Sequence, residues 1–175
     1  MRALIAVSSR HGSTHEIGTA IARVLEAAGV DVDIIDPEYV TSVEPYDGII
    51  LGSAIYGGRW LAPARELAER ELEQLRERRV WLLSSGPTGD PPRPAVAPPE
   101  ALAIAERLNA VDHQVLEGRL DRSRLGLGEK VIVSAVGAQA GDYRPWDDVL
   151  EWARWIAATL APMDGAQVVA AEAAS

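Results

Sequence analysis

The stretch Leu4-Ile5-Ala6-Val7-Ser8-Ser9-Arg10-His11-Gly12-Ser13-Thr14-His15-Glu16-Ile17-Gly18 decides how the whole chain is read. Its apolar start, Ala3 to Val7, has the length of a buried strand. After it Ile17, Ile21, Val24 and Leu25 recur at helical spacing until Gly29 stops them. Between strand and helix, several hydroxyls cluster around Gly12 directly before a helix N-terminus, whose first amides have no partner inside the helix. Glycine tolerates unusual backbone angles, and the free amides favour an anion, so this loop suits a phosphate group. A helix cap alone, from Ser13 or Thr14, would need only one hydroxyl. The loop is neither GxxxxGK[ST] nor GxGxxG, which argues against a Walker-type nucleotide loop and a dinucleotide fingerprint.

The same alternation continues outward from this stretch. Val30 to Ile35 alternates around Asp31 and Asp33, and Asp47 to Ile55 is nearly continuous in apolar and small residues, as a strand covered on both faces would be. Pro63 opens a helix expected to run to about Arg78, with Arg65/Glu69 and Glu66/Arg70 as ion pairs four apart. Val80 to Ser84, Pro99 to Asn109, His113 to Leu120 and Trp146 to Leu160 then read as strand, helix, strand and amphipathic helix. Five strands separated by helices form right-handed βαβ units, which gives a doubly wound α/β domain. Ligands of such domains bind beyond the carboxyl ends of the strands, where strand order reverses. The loops after strands one, three and four are therefore the candidate site.

Composition narrows the chemistry. At 175 residues with 47% apolar content the chain suits one domain, and no apolar run approaches the roughly 20 residues that span a bilayer. A cytoplasmic location is expected, with peripheral membrane contact left open. There is no cysteine, which removes disulfides and thiolate chemistry, and the three histidines suggest no metal site. A net charge of -9 argues against a nucleic-acid surface; it fits either an ordinary acidic domain or one that meets a positively charged partner. A receiver domain would need a phosphate-accepting aspartate where the third strand reads Gly52-Ser53-Ala54.

Leu4 to Gly18 resembles the phosphate loop of flavodoxins, and the order Ser-Ser-Arg-His-Gly-Ser-Thr is similar to that of the branch containing menaquinone-dependent protoporphyrinogen oxidases. The resemblance implies a flavodoxin-like three-layer sandwich: a five-stranded parallel sheet of order 2-1-3-4-5 with helices on both faces. Residues 1–162 would form the FMN-binding domain and 163–175 an alanine-rich tail. FMN is the implied cofactor, its phosphate held by Ser9, Arg10, His11, Gly12, Ser13 and Thr14, with His11 a loop residue rather than a base. Ser53, Ala54, Ile55, Tyr56 and Gly57 would cover one face of the isoalloxazine, Tyr56 stacking on the ring and the Gly57 peptide bonding the flavin edge. Ser85, Gly86, Pro87, Thr88 and Gly89 would line the pyrimidine side. That third loop lacks the usual second aromatic, which suggests an open ring face; the prolines after it read as a stiff connector.

The segment Asp121 to Pro145 departs from a minimal flavodoxin and holds Arg122, Arg124 and the sole lysine, Lys130. Its KVIVSAVGA stretch has the β-branched content of a strand, whereas the resemblance implies a helix over the flavin edge. The arginines would bind a porphyrinogen carboxylate or a quinone, or else face solvent. Two functions follow from the resemblance. One is an FMN-dependent oxidoreductase that passes electrons from protoporphyrinogen IX to menaquinone in haem biosynthesis, towards which the insert leans. The alternative is a flavodoxin that docks on a redox partner protein through its acidic surface.

Overall fold

The computed structural model describes residues 1–86, 96–121, 123, 126 and 140–161. Their elements run β1 (Arg2–Ser8), α1 (Ser13–Ala27), β2 (Asp31–Ile34), β3 (Gly48–Tyr56), β4 (Arg59–Trp60), α2 (Ala62–Arg70), α3 (Leu72–Arg76), β5 (Arg79–Ser85), α4 (Pro99–Leu108), β6 (Asp112–Leu116), β7 (Arg119–Leu120), β8 (Gly141–Asp142) and α5 (Trp146–Leu160). Five strands pair in parallel in the order β2-β1-β3-β5-β6, with β4 attached antiparallel to β3. Counting the parallel strands alone, this is the expected 2-1-3-4-5 order.

Two-sided burial explains why the central strands are continuous apolar runs. Side chains alternate across a strand, so Ala3, Ile5 and Val7 of β1 join Ile50, Trp81 and Leu83 in one core. There they meet Ile17, Ile21 and Leu25 of α1 and Trp152, Ile156 and Leu160 of α5. Leu4 and Ala6 join Ile49, Leu51, Val80 and Leu82 in the other, against Leu67 of α2, Leu75 of α3 and Ile104 and Leu108 of α4. Among the described residues no helix is long and apolar enough to cross a membrane.

Four local expectations are corrected. The stretch after the third strand, expected as a loop, is strand through Tyr56. It then reverses in a two-residue hairpin at Gly57 and Gly58, whose φ values of 57° and 75° meet the demand of a type I′ turn. The single helix expected from Pro63 to Arg78 kinks at Glu71, which leaves helical geometry at φ −104°, ψ 18° while the hydrogen-bond ladder carries on. The strand expected from His113 to Leu120 stops at Leu116; Arg119 and Leu120 pair instead with Gly141 and Asp142 in a separate ribbon. The helix-face ion pairs yield to tertiary ones: Glu69 pairs with Arg107 of α4, Arg65 with Glu100, and Arg70 donates to the Val40 carbonyl. The KVIVSAVGA stretch, Arg122, Arg124, Lys130 and the residues from 162 onward lie outside the described residues.

Gly52 marks how closely the strands' side chains and the sheet backbone approach. A Cβ there would stand 2.8 Å from the Leu83 carbonyl oxygen and 3.0 Å from Val7 Cγ1, and a backbone oxygen cannot rotate away. At Gly48 the nearest obstacle, at 2.6 Å, is the end of the Leu160 side chain, which can turn. Gly52→Ala is expected to destabilise the fold by about 1–3 kcal/mol and Gly48→Ala by less, as read from denaturant midpoints.

Candidate functional site

Strand order reverses between β1 and β3, since β1 leads through α1 to β2 on one side and has β3 on the other. The register sets Ser8 opposite Ser53 and Ser53 opposite Ser84, so a row of serines crosses the carboxyl edge of the three central strands. All three are buried. Two of them are satisfied within the protein. The Ser53 hydroxyl donates to the Ala54 carbonyl and accepts from the Leu61 amide, both at 2.8 Å, which fixes the chain where β4 leads into α2. Ser84 Oγ accepts from Trp60 Nε1 at 2.8 Å and lies 2.9 Å from His113 Nε2. Burial pushes the His113 imidazole below its ordinary value, so it is a neutral part of this scaffold.

Ser8 differs, because its buried hydroxyl has no hydrogen-bond partner among the described residues, and the same holds for Thr14, which is 1% exposed. An unmade bond on a buried polar atom costs about 1–3 kcal/mol; of the four such side-chain atoms among the described residues, Arg65 Nε and Trp81 Nε1 lie on other elements, whereas the two oxygens flank one loop, where a ligand could complete them. Between them Gly12, at φ 85°, turns the chain into α1 as its N-cap residue and has no side chain of its own to cap the helix. Capping by Ser13 or Thr14 alone is thereby set aside. The Gly12 and Thr14 amides instead converge on Ser9 Oγ, at 3.0 and 3.3 Å. The loop backbone is thus already arranged to solvate an oxygen. Ser9 accepts both bonds, which leaves its own hydrogen to donate. Ser13 Oγ likewise accepts, from the Arg119 amide at 3.0 Å.

The hairpin leans on this loop. The Arg10 guanidinium lies 4.9 Å from the centre of the Tyr56 ring, and the His11 ring is 6.1 Å away at 57°. His11 and His15 diverge although only four residues apart. His15 Nε2 bonds the Val7 carbonyl at 2.8 Å and pairs with Asp36 at 3.0 Å. From the third loop, Ser85 lies opposite Ala54, and Gly86, at φ 116°, donates its amide to the Leu116 carbonyl and lies beside Ile55. So Ser9 to Thr14, Ser53 to Gly57 and Ser85 with Gly86 share one end of the sheet; Pro87, Thr88 and Gly89 lie outside the described residues.

Two residues that bear on this end escaped the sequence reading. Ser8 lies in the expected first loop but is not among the residues expected to hold the phosphate, although a hydroxyl at the end of an otherwise apolar run was a signal. Arg144 had no local signal. Its side chain is 3% exposed, and it donates to Asp142 through Nε at 2.7 Å and Nη2 at 2.5 Å, and to Glu16 through Nη1 at 2.6 Å. It also lies over the Trp146 ring at 4.4 Å. Arg119 adds a second bond to Glu16 at 3.0 Å. Hydrogen bonds from Arg144 hold both the Glu16 and the Asp142 carboxyls below the usual carboxylate range, and they raise the guanidinium in turn.

The arrangement defines an α/β protein with hydroxyls and a helix N-terminus gathered at its topological switch point. The family model of the flavodoxin domain matches residues 4–145, and the chain belongs to that family. No curated protein sequence matches the chain. Among solved structures it is similar to a flavodoxin from the domain Archaea, at 16% identity and TM-score 0.61 over 91% of this chain and 99% of that one. Flavodoxin 1 from Bacillus cereus gives 16% identity and TM-score 0.58 over 87% and 95%. The rubredoxin oxygen:oxidoreductase of Desulfovibrio gigas gives 10% and 0.62 over 91% of this chain but 36% of that one. These likenesses are of fold. Family membership implies FMN, and the hydroxyl and amide donors with two unsatisfied buried oxygens fit its phosphate.

Because the folded Glu16 and Asp142 carboxyls titrate below their unfolded values, their contribution is present above the unfolded range and is lost as pH falls through the folded one. Glu16→Gln with Asp142→Asn is expected to lower the melting temperature at pH 7. It should also flatten the decline below about pH 5, as followed by circular dichroism.

Proposed function

We propose that this protein binds FMN at the carboxyl edge of β1, β3 and β5 and serves as a flavodoxin-type electron carrier. The observation that carries the proposal is the pair of buried, unpartnered hydroxyls, Ser8 and Thr14, on either side of a loop whose amides already converge on an oxygen. FMN supplies the electron chemistry. The chain's own residues bind and orient it: Ser9, Gly12, Ser13 and Thr14, joined by Ser8, donate to the phosphate, with Arg10 and His11 flanking them. Tyr56 stacks on the ring, backed by Ser53, Ala54 and Ile55. The Gly57 peptide meets the ring edge, and Ser85 to Gly89 line the pyrimidine side. With a net charge of -9, the surface suits a partner that offers a basic patch near its own redox centre.

A second reading, the quinone-linked oxidation of protoporphyrinogen IX, is favoured by one feature. Residues 86 to 98, which follow β5, contain no aromatic, so one ring face would stay open to a flat substrate. Protein loaded with FMN separates the two. A carrier is reduced by NADPH with a flavodoxin reductase and leaves protoporphyrinogen IX with menaquinone unchanged; turnover of that pair would overturn the carrier reading.

Each hydrogen bond to a charged group is worth about 1.5–3 kcal/mol, or about 10- to 150-fold in affinity. Ser9→Ala with Thr14→Ala should therefore weaken FMN at least about tenfold while sparing riboflavin, measured by quenching of flavin fluorescence. Equal loss of both ligands would remove the phosphate from this loop.

A further inference from the structure

We propose that Arg144 is a positioning residue for phosphate recognition: delivered by the chain after β8, it cancels the charge of Glu16 and so lets the N-terminus of α1 accept a doubly charged phosphate. The inference rests on the FMN reading above. Glu16 sits in the first turn of α1, the helix whose leading amides form the cradle. A carboxylate there suits the helix dipole but repels any other anion drawn to the same end. Arg144 and Arg119 both bind its Oε2, at 2.6 and 3.0 Å.

Burying a guanidinium is costly unless its donors are met and its charge is paired. Arg144 fulfils both conditions with carboxylates from two distant parts of the chain: Asp142 beside it and Glu16, 128 residues earlier in the sequence. The second Nη1 neighbour is the Ser13 carbonyl at 3.5 Å, which brings the same side chain to the first residue of α1. Arg119 reinforces the contact, its amide holding Ser13 Oγ as its guanidinium holds Glu16. Glu16 and Asp142 against Arg119 and Arg144 sum to zero charge, so the ribbon of β7 and β8 meets the cradle as a neutral clamp.

The test compares the wild type with Arg144→Met, Glu16→Gln and the double variant, titrating each with FMN and with riboflavin, which lacks the phosphate. Arg144→Met leaves Glu16 under-compensated. It should weaken FMN about tenfold and riboflavin less than about twofold, and adding Glu16→Gln should restore most of the loss. Glu16→Gln alone keeps the buried arginine paired with Asp142 and should bind FMN more tightly than the wild type, with riboflavin unchanged. Weaker FMN binding by Glu16→Gln, equal loss of both flavins in Arg144→Met, or no recovery in the double variant would overturn the role of Arg144 while the cradle stands. A wild type that binds neither flavin would overturn the cradle and the clamp together.

Discussion

The left-handed turn at Gly12, φ 85°, is the constraint on which the working end of this protein depends. It lets the chain leave β1 and enter α1 with no side chain at the N-cap position, and the first-turn Thr14 amide turns to Ser9 Oγ across the loop. A residue with a Cβ is strained at that φ. The buried packing of Ile17, Ile21 and Leu25 against β1 then holds the helix against the sheet. Local backbone geometry and core packing thus place the donors in one spot, and the ligand is left to satisfy the hydroxyls that the protein does not.

Across the same edge, three serines of similar burial have different fates, decided by their neighbours. Ser53 and Ser84 lie beside β4, and the Leu61 amide and Trp60 indole arrive from that short strand to occupy them. The Gly57-Gly58 hairpin makes this possible by sending the chain straight back along β3. Ser8, on the other side of β3, receives no such partner. A hairpin that reads as a detail of the fold therefore separates supporting hydroxyls from one left available at the switch point.

The sequence disclosed what depends on near neighbours. Runs such as Ala3 to Val7 and Val80 to Ser84 are buried on both faces, so their composition alone marks them as central strands, whereas sheet order follows from the resemblance carried by Leu4 to Gly18. The pattern of the first loop was equally plain, a glycine among hydroxyls before a helix, and the phosphate role read from it is the one proposed above. The Gly-Gly turn is readable in principle, being a dipeptide that favours positive φ at both positions, although the loop expected after the third strand covers it. The end of β6 was hidden because no strong breaker interrupts His113 to Leu120 except Gly118, which a strand can contain. The helix-face ion pairs followed a local rule and lost to tertiary partners such as Arg107 for Glu69. Arg144 was out of reach for the same reason. Nothing beside it in sequence tells that Glu16 will be its partner.

An acidic protein that binds an anion must resolve a conflict, and the structure shows where. With a net charge of -9 the surface as a whole repels a phosphate. Salt screens exposed charges beyond about 8 Å at physiological ionic strength, so most of the carboxylates matter little at the loop. Glu16 is the exception, since it stands in the first turn of the helix that follows the loop, and its partly exposed charge is met by two guanidiniums as well as by solvent. The donors that reach inward from Ser9, Ser13 and Thr14 are neutral. On the proposed reading, long-range charge would be left free to steer a partner protein, whereas short-range neutral bonds and one balanced cluster would govern the cofactor. The two requirements are separated by distance and screening, and neither has to be weakened to meet the other.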